Sequence, residues 1–372
     1  MPPAPHRRVT LGEVARAAGV SAATGSRALA GDPRISGPTR ERVRRAAERL
    51  GYVPNAAARS LRRQATRTLG LLLVDLADPV HGLIAAGFEE AAAARGFTVI
   101  FVAGFNDPAR ERRALQLFAE HRTDGVALVS SILDPAEALT LIRSDRVVLA
   151  QADHPSLAGY GNDRPVGSIR SDDAAGAGAT VRHLLDAGYR EIGYVGAGPT
   201  ASNATRRDAV LRALRDSAAR PRRAFAAGRD GWRDGLAVAR RIARDLPEAL
   251  ICYDDKLALA LMDGLRACGL DVPRDVGIAG YDDIPFAACS NPRLTTVASP
   301  SAEIGRLAVR MLVGAIEGGE LPPSVVLPVE LVVRESTPGP GSIDYTQPRG
   351  GEVSPRRVTS LEPVGVAPGG GR

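Results

Sequence analysis

This 372-residue sequence predicts an all-α helix-turn-helix headpiece joined to a two-lobed α/β sensor, and three observations carry that expectation. Residues 9–50 space their apolar side chains at helical intervals. From Thr68 onward, short apolar runs alternate with amphipathic segments, the rhythm of parallel strands joined by crossover helices. Charge divides at the same place: the formal total is +6, yet residues 1–67 hold 14 Arg against only Glu13, Asp32, Glu41 and Glu48, so the remainder is net acidic. A positive field confined to one small module suits a polyanion. Arginine abundance by itself says little, because Lys256 is the only lysine.

Residues 1–8, Met-Pro-Pro-Ala-Pro-His-Arg-Arg, read as a disordered arm. Thr10 and Glu13 have capping-box spacing, and Leu11, Val14, Ala15 and Ala18 then mark a short first helix. Gly19 permits the left-handed backbone that ends it, Val20 packs the corner, and Ser21 caps a second helix through Thr24, Ser26, Arg27 and Leu29. Small and hydroxylated residues at its start let such a helix sink into a major groove, with Arg27 for phosphate or guanine; an ordinary helical hairpin has the same apolar spacing. Ser36 and Pro38 open a third helix whose apolar face is Val43, Ala46, Ala47 and Leu50, and Gly51 stops it. The headpiece is thus 9–54. Residues 55–67 form a hinge helix and linker, and the helical pattern of 55–63 lasts only two turns. Helices shorter than about 12 residues are marginal in water, so this one needs support to be ordered.

The run Val9 to Leu61 resembles the lactose-repressor family of bacterial transcription regulators. It carries Val-Thr-x-x-x-Val-Ala-x-x-Ala-Gly-Val-Ser-x-x-Thr, then Thr39-Arg40, then Leu50-Gly51-Tyr52-Val53-Pro54-Asn55 and Ala58-Arg59-Ser60-Leu61, without a gap. The resemblance implies sequence-specific binding of a pseudo-palindromic double-stranded DNA operator by a homodimer acting as a repressor. Base edges would be met by Ala22, Ala23, Thr24 and Arg27, and phosphates by Thr10, Ser21, Ser26, Ser36, Thr39 and Asn55, with Tyr52 also on the DNA. Ala22 and Ala23 are equally good helix formers. Leu61 falls where the family's hinge leucine wedges into a central base step, flanked by Ala58 and Arg59; packing of Leu61 on the lobe beneath is the alternative. Gly25 departs from the usual Val, which costs about 0.5–1 kcal/mol of helix propensity relative to Ala and removes a core contact.

Beyond the linker, Leu69–Asp75, Phe97–Val102, Gly125–Ser130 and Val147–Ala150 read as buried strands, with helices at 79–95, 108–122 and 134–144. Strands Glu191–Gly196, Ala249–Tyr253 and Val276–Tyr281 follow, with helices near 173–188, 203–219, 233–246 and 255–268, then a helix at 301–317 and a last strand Val325–Val333. The family resemblance implies a periplasmic-binding-protein-like (type I) sensor, residues 68–335, crossed three times by the chain: one lobe 68–168 plus 297–325, the other 169–296 plus 326–335. Residues 336–372 hold 14 Pro or Gly among 37 and no periodicity, and read as a disordered tail without leucine heptads.

The same resemblance puts a small-molecule effector, a sugar or related metabolite, in the interlobe cleft. Its expected contacts are Asp78, His81, Gln151, Ser202, Arg206, Asp254 and Asp282, the last in a Gly280-Tyr281-Asp282-Asp283 signature. A carboxylate accepting two hydroxyls with an arginine opposite is sound polyol chemistry. Asp255 and Asp283 fit helix caps better than ligand contacts. The aromatic platform usual after the first strand is absent, with His81 in its region, Gln151 lies where an Asp is common, and Trp232 is displaced from the usual aromatic position, which Asp230 occupies.

An enzyme reading rests on Gly196-Ala197-Gly198-Pro199-Thr200-Ala201, a Gly-x-Gly-x-x-Ala run with Asp216 about 20 residues on, as a dinucleotide fingerprint requires. Pro199 is awkward in that turn and Asp216 falls inside a helical pattern, so no enzyme and no cofactor are expected. Cys252, Cys268 and Cys289 are odd in number and lack metal spacing, so neither a disulfide framework nor a metal site is indicated. With no signal-peptide core and no run of about 18 apolar residues, a cytoplasmic protein without a membrane partner is expected.

Overall fold

The computed structural model describes residues 9–53, 65–142, 144, 146–151, 166–196, 201–217, 220–221, 225–226, 235–322 and 324–339. The chain divides into two compact units, Met1–Asp172 with Pro300–Pro328, and Asp173–Ser299 with Val329–Arg372.

The headpiece comprises α1 (Leu11–Ala17), α2 (Ala22–Leu29) and α3 (Gly37–Leu50). Thr10 closes a full capping box with Glu13, Gly19 has φ 66°, and Gly51 ends α3 in the left-handed conformation at φ 64°. Val14, Ala18, Ala28, Val43, Ala46 and Ala47 form its core, joined by Val9, Val20, Leu29, Ile35, Leu50 and Tyr52. Gly25 leaves no void: a Cβ there would lie 3.2 Å from the Ala15 Cβ, so the bare backbone lets α2 lie close against α1.

The first sheet is built from β1 (Thr68–Leu73), α4 (Pro79–Ala94), β2 (Thr98–Ala103), α5 (Pro108–Glu120), β3 (Gly125–Val129), α6 (Pro135–Ile142), β4 (Val147–Ala150) and β5 (Gly167–Ser171). The second continues through α7 (Asp173–Asp186), β6 (Glu191–Gly196), α8 (Ala201–Arg215), β7 (Arg220–Pro221), β8 (Phe225–Ala226), α9 (Gly235–Ile242), β9 (Ala249–Cys252), α10 (Asp255–Ala267), β10 (Gly277–Asp282) and β11 (Thr295–Ala298). The chain then returns through α11 (Ser301–Ile316) and β12 (Val325–Leu327) to the first sheet and ends with β13 (Glu330–Val332) in the second. Among the described residues the strand orders are β12-β5-β4-β3-β1-β2 and β13-β11-β10-β9-β6-β7, with β8 also on β6; β13 is antiparallel to β11 and the other pairs are parallel. Successive side chains of β1 enter opposite layers, Leu69, Leu71 and Leu73 facing α4 and α11, and Leu72 facing α5.

Three expectations need correction. The single last strand is two, because Pro328 lacks an N–H for a ladder: Val325 pairs with Ile169 in one sheet, Thr296 with Val332 in the other. The boundaries expected at 168/169 and 296/297 fall inside β5 and β11, two short strands whose Gly-, Ser- and Thr-rich sequences carry little apolar signal. The tail does not begin at 336. Ser336 and Thr337 are fully buried, Ser336 Oγ donating to the Ile278 carbonyl at 2.6 Å and accepting from Thr295 N at 2.8 Å. Among the described residues no helix is long and apolar enough to cross a membrane.

Candidate functional site

On the headpiece, the N-terminal half of α2 presents Ala22 and Ala23 exposed with Arg27 one turn further on, while Gly25 and Ala28 face the core. Ser21 caps the helix, accepting from Thr24 N at 3.1 Å, and its hydroxyl lies 2.9 Å from that of Thr24. Ser26 is half-buried. Thr10 caps α1. Ser36 stands at the N-cap of α3 but makes no cap bond; its hydroxyl donates to Thr39 Oγ1 at 2.9 Å. Methyl groups, hydroxyls and one guanidinium thus share an exposed surface that reaches a groove floor without bulk. Tyr52 is half-buried against the headpiece core. Asn55, Ala58, Arg59 and Leu61 lie outside the described residues.

In the first unit the expected residues gather at the carboxyl ends of parallel strands, where open α/β sheets hold ligands. Asp78 follows β1 and N-caps α4, its Oδ1 accepting from Val80 N at 2.9 Å. His81 is buried one turn on, its Nδ1 3.1 Å from the Asp75 carbonyl. Gln151 ends β4 at φ 54°, tied to β5 by Gln151 N to the Ile169 carbonyl at 2.9 Å and by Nε2 to Ser171 Oγ at 3.5 Å.

The second unit brings Arg206 and Asp282 together. Arg206 Nη2 donates to Asp282 Oδ1 at 2.9 Å and Nη1 to Oδ2 at 3.4 Å, a bidentate pair with both side chains buried. Nη1 also donates to the Tyr253 carbonyl at 2.9 Å, and Nε faces Asp173 at 3.4 Å. The guanidinium carbon lies 3.7 Å from the ring centre of Tyr281 and 5.1 Å from that of Tyr253. Burial alone would lower the Arg206 pKa, but the charges of Asp282 and Asp173 hold it well above the ordinary value. Two successive positive φ angles, 109° at Asp282 and 52° at Asp283, turn the chain sharply at the end of β10, a strain typical of functional positions. Ser202 lies on α8 with its side chain outside the described residues.

The helix cap expected at Asp255 is made by Asp254 instead. Asp254 N-caps α10, accepting from Leu257 N at 2.8 Å, with Lys256 3.6 Å away. Asp255 caps nothing. It is fully buried, its Oδ2 accepting from Ile284 N at 2.9 Å and its Oδ1 from Thr296 Oγ1 at 2.5 Å. Gly280 is glycine because a Cβ there would meet Asp255 Oδ1 at 2.1 Å. Asp283 instead accepts from Arg334 Nη2 at 2.7 Å. Asp230 and Trp232 lie outside the described residues, as do residues 197–200 of the glycine-rich run; Asp216 follows the end of α8.

Sequence reasoning missed Asp173, Tyr253 and Glu111. Asp173 looks like an ordinary helix start unless β5 is recognised just before it. Glu111 reads as a solvent-facing residue of α5, yet it is buried and accepts from Ser131 Oγ at 2.6 Å and Ile132 N at 3.2 Å, pinning the loop after β3; burial pushes its pKa up.

Residues 10–55 match the family described as bacterial regulatory proteins, lacI family, and residues 181–337 match a periplasmic binding protein-like domain. The chain is 30% identical over 347 residues, 89% of its length and 98% of the relative's, to the HTH-type transcriptional regulator DegA of Bacillus subtilis. Among solved structures, the lac repressor bound to ONPG in the repressed state aligns with TM-score 0.79 at 25% identity, covering 89% of this chain and all of the other. The complex of the transcriptional regulator CelR with cellobiose aligns with TM-score 0.64 at 29% identity, over 88% of this chain and all of that one.

Proposed function

We propose that this chain, which belongs to the lacI family of DNA-binding bacterial transcriptional regulators, represses transcription from a pseudo-palindromic operator as a homodimer, under control of a small polar effector. The exposed Ala22–Ala23–Arg27 face of α2, set in an N-terminal segment whose arginines outnumber its acids while the rest of the chain is net acidic, carries the reading. One such helix covers only a few base pairs, so a pair of headpieces on a two-fold site is the expected geometry. An apolar sheet edge supports pairing: β2 is the outer strand of its sheet and leaves Phe101 exposed, with Phe105 exposed just beyond it.

The effector is recognised in the second unit by Arg206 and Asp282, with Ser202 and Asp254 as further contacts. A sugar or related polyol suits them: Arg206 is already matched to Asp282 and Asp173, so the cluster offers carboxylate acceptors to hydroxyls more readily than a free cation to an anion. The effector acts on the hinge of residues 55–63, whose short helix is ordered on DNA, with Leu61 as the wedge between central bases. Because such a helix is marginal, a differential affinity of about 1–3 kcal/mol switches it.

Selection from a random duplex pool, with and without a panel of neutral sugars, tests this reading. Wild-type protein is expected to enrich two-fold-symmetric sites, and Leu61→Ala to bind DNA without enriching them. A pool that stays random under every condition rejects the operator reading; enrichment retained by Leu61→Ala rejects the wedge.

A further inference from the structure

The turn between α2 and α3 holds an exposed ion pair made through both carboxylate oxygens. Gly31, at φ 76°, carries the chain out of α2, and the Asp32 N–H donates to the Arg27 carbonyl at 3.0 Å. The Asp32 carboxylate then takes Arg34 by its backbone N–H at 3.0 Å, by Nε at 3.0 and 3.3 Å, and by Nη2 at 2.8 Å. Both oxygens therefore face the Nε–Nη2 edge of the guanidinium, the fork that an arginine offers equally to a phosphate. Hydrogen bonds from the Arg34 side chain and backbone, with a smaller pull from the Arg27 charge, lower the Asp32 pKa to about 2, so the pair is fully charged near neutral pH. Arg34 remains 80% exposed.

Around this pair the headpiece favours anions. Three residues on from Arg34, α3 begins with no acidic residue in its first turn, the Ser36 and Thr39 hydroxyls lie there, and Arg40 Nη1 reaches back to the Asp32 carbonyl at 3.4 Å. The other three acids of the headpiece have local work: Glu13 closes the capping box, Glu41 pairs with Arg44 and Arg45, and Glu48 faces Arg44 along α3. Asp32 alone ties down an exposed arginine beside a helix start.

We propose that Asp32 is a resident stand-in for phosphate, competing with the DNA backbone for Arg34 and holding the headpiece below the affinity its arginines would otherwise give. The inference rests on the DNA-binding role of the headpiece. On a duplex the pair either opens, leaving a carboxylate facing phosphates, or stays closed and withholds one cation. Each case costs the complex about one phosphate contact and weakens non-specific binding most, because that binding is almost wholly electrostatic.

The test is equilibrium binding of full-length protein to a random-sequence duplex between about 50 and 200 mM salt. Asp32→Asn keeps an acceptor for the Arg34 N–H and removes the charge. It is expected to tighten binding several-fold at the low-salt end and to steepen the log affinity against log salt slope by about 0.9, one added phosphate. Arg34→Ala alone is expected to change little, and Arg34→Ala with Asp32→Asn to lose the gain. A gain that survives Arg34→Ala would mean that removing a negative charge suffices, and overturns the proposal, as does an unchanged slope in Asp32→Asn. Asp32→Ser serves as second charge-free variant, and matched melting temperatures certify the fold. Wild-type protein with no salt-dependent duplex binding would remove the headpiece reading and this proposal together, whereas normal wild-type binding without the Arg34-dependent gain removes this proposal alone.

Discussion

Asp255 shows how far one buried carboxyl reaches. Burial first, then the nearby Asp282 charge, raise its pKa well above the ordinary carboxylate value, while the Thr296 hydroxyl and Ile284 N–H pull the other way. A group whose folded pKa exceeds its unfolded one stabilises fully below the unfolded value, about 3.9, and loses that contribution as pH rises through the folded value. Asn has the shape of the neutral acid. Asp255→Asn is therefore expected to melt close to wild type near pH 4 and above it near pH 8, whereas Asp255→Ala, which abandons Ile284 N and Thr296 Oγ1, melts lower throughout. Equal loss in Asp255→Asn at both pH values would contradict a raised Asp255 pKa. Arg206 and Asp282 were singled out by the family resemblance, because each sits beside neighbours that match the family's motifs. Asp173 was not, since it is 33 residues from Arg206 and no spacing rule links them. Asp255 was expected to cap α10 and does not, because the sequence does not show where α10 begins to within one residue, and one residue separates the capping Asp254 from the fully buried Asp255.

Among the elements, α4 and α11 make the closest crossing. A Cβ on Gly87 would meet the Ala302 carbonyl oxygen at 2.0 Å, and one on Gly305 the Ile84 carbonyl oxygen at 2.1 Å, so the helices meet backbone to backbone through reciprocal glycines. Gly305→Ala must push them apart. Overpacking typically costs about 1–3 kcal/mol, and here the obstacle is main chain, so the upper part of that range is expected in denaturant unfolding. Gly314→Ala on the same helix, where a Cβ meets nothing within 4 Å, is the control and should be neutral or stabilising. Equal behaviour of the two variants would refute the crossing. Both helices were legible in apolar spacing, their ends falling within a residue or two; their mutual contact was not, because two hundred residues separate the glycines and periodicity reports which face is buried, never against what. The same limit explains β5, whose Gly-Ser-Ile-Arg-Ser has no strand signature of its own and is a strand because β4 and β12 lie on either side of it.

At the scale of the whole molecule, neither unit is a continuous stretch. The chain passes from one to the other at 172/173, 299/300 and 328/329, and Ser336 and Thr337 seal the second sheet against Ile278 and Thr295. Truncation after Glu335, where composition alone would end the domain, is expected to destabilise the second unit by leaving Thr295 N and the Ile278 carbonyl buried without Ser336, about 1–3 kcal/mol for each abandoned group. Truncation after Gly339 should melt as the full chain does. Identical melting of the two truncations would show that these seals are dispensable. The late return of the chain also bears on how the protein is made. Strand β12 edges the first sheet and β13 the second, so a ribosome moving from the amino end has made every other strand of both sheets before either can be completed. Until then both carry an open flank, and only the three-helix headpiece, finished within the first fifty-odd residues, can fold as it emerges. Nascent protein therefore exposes a basic helix-turn-helix module well before the two sheets behind it are complete.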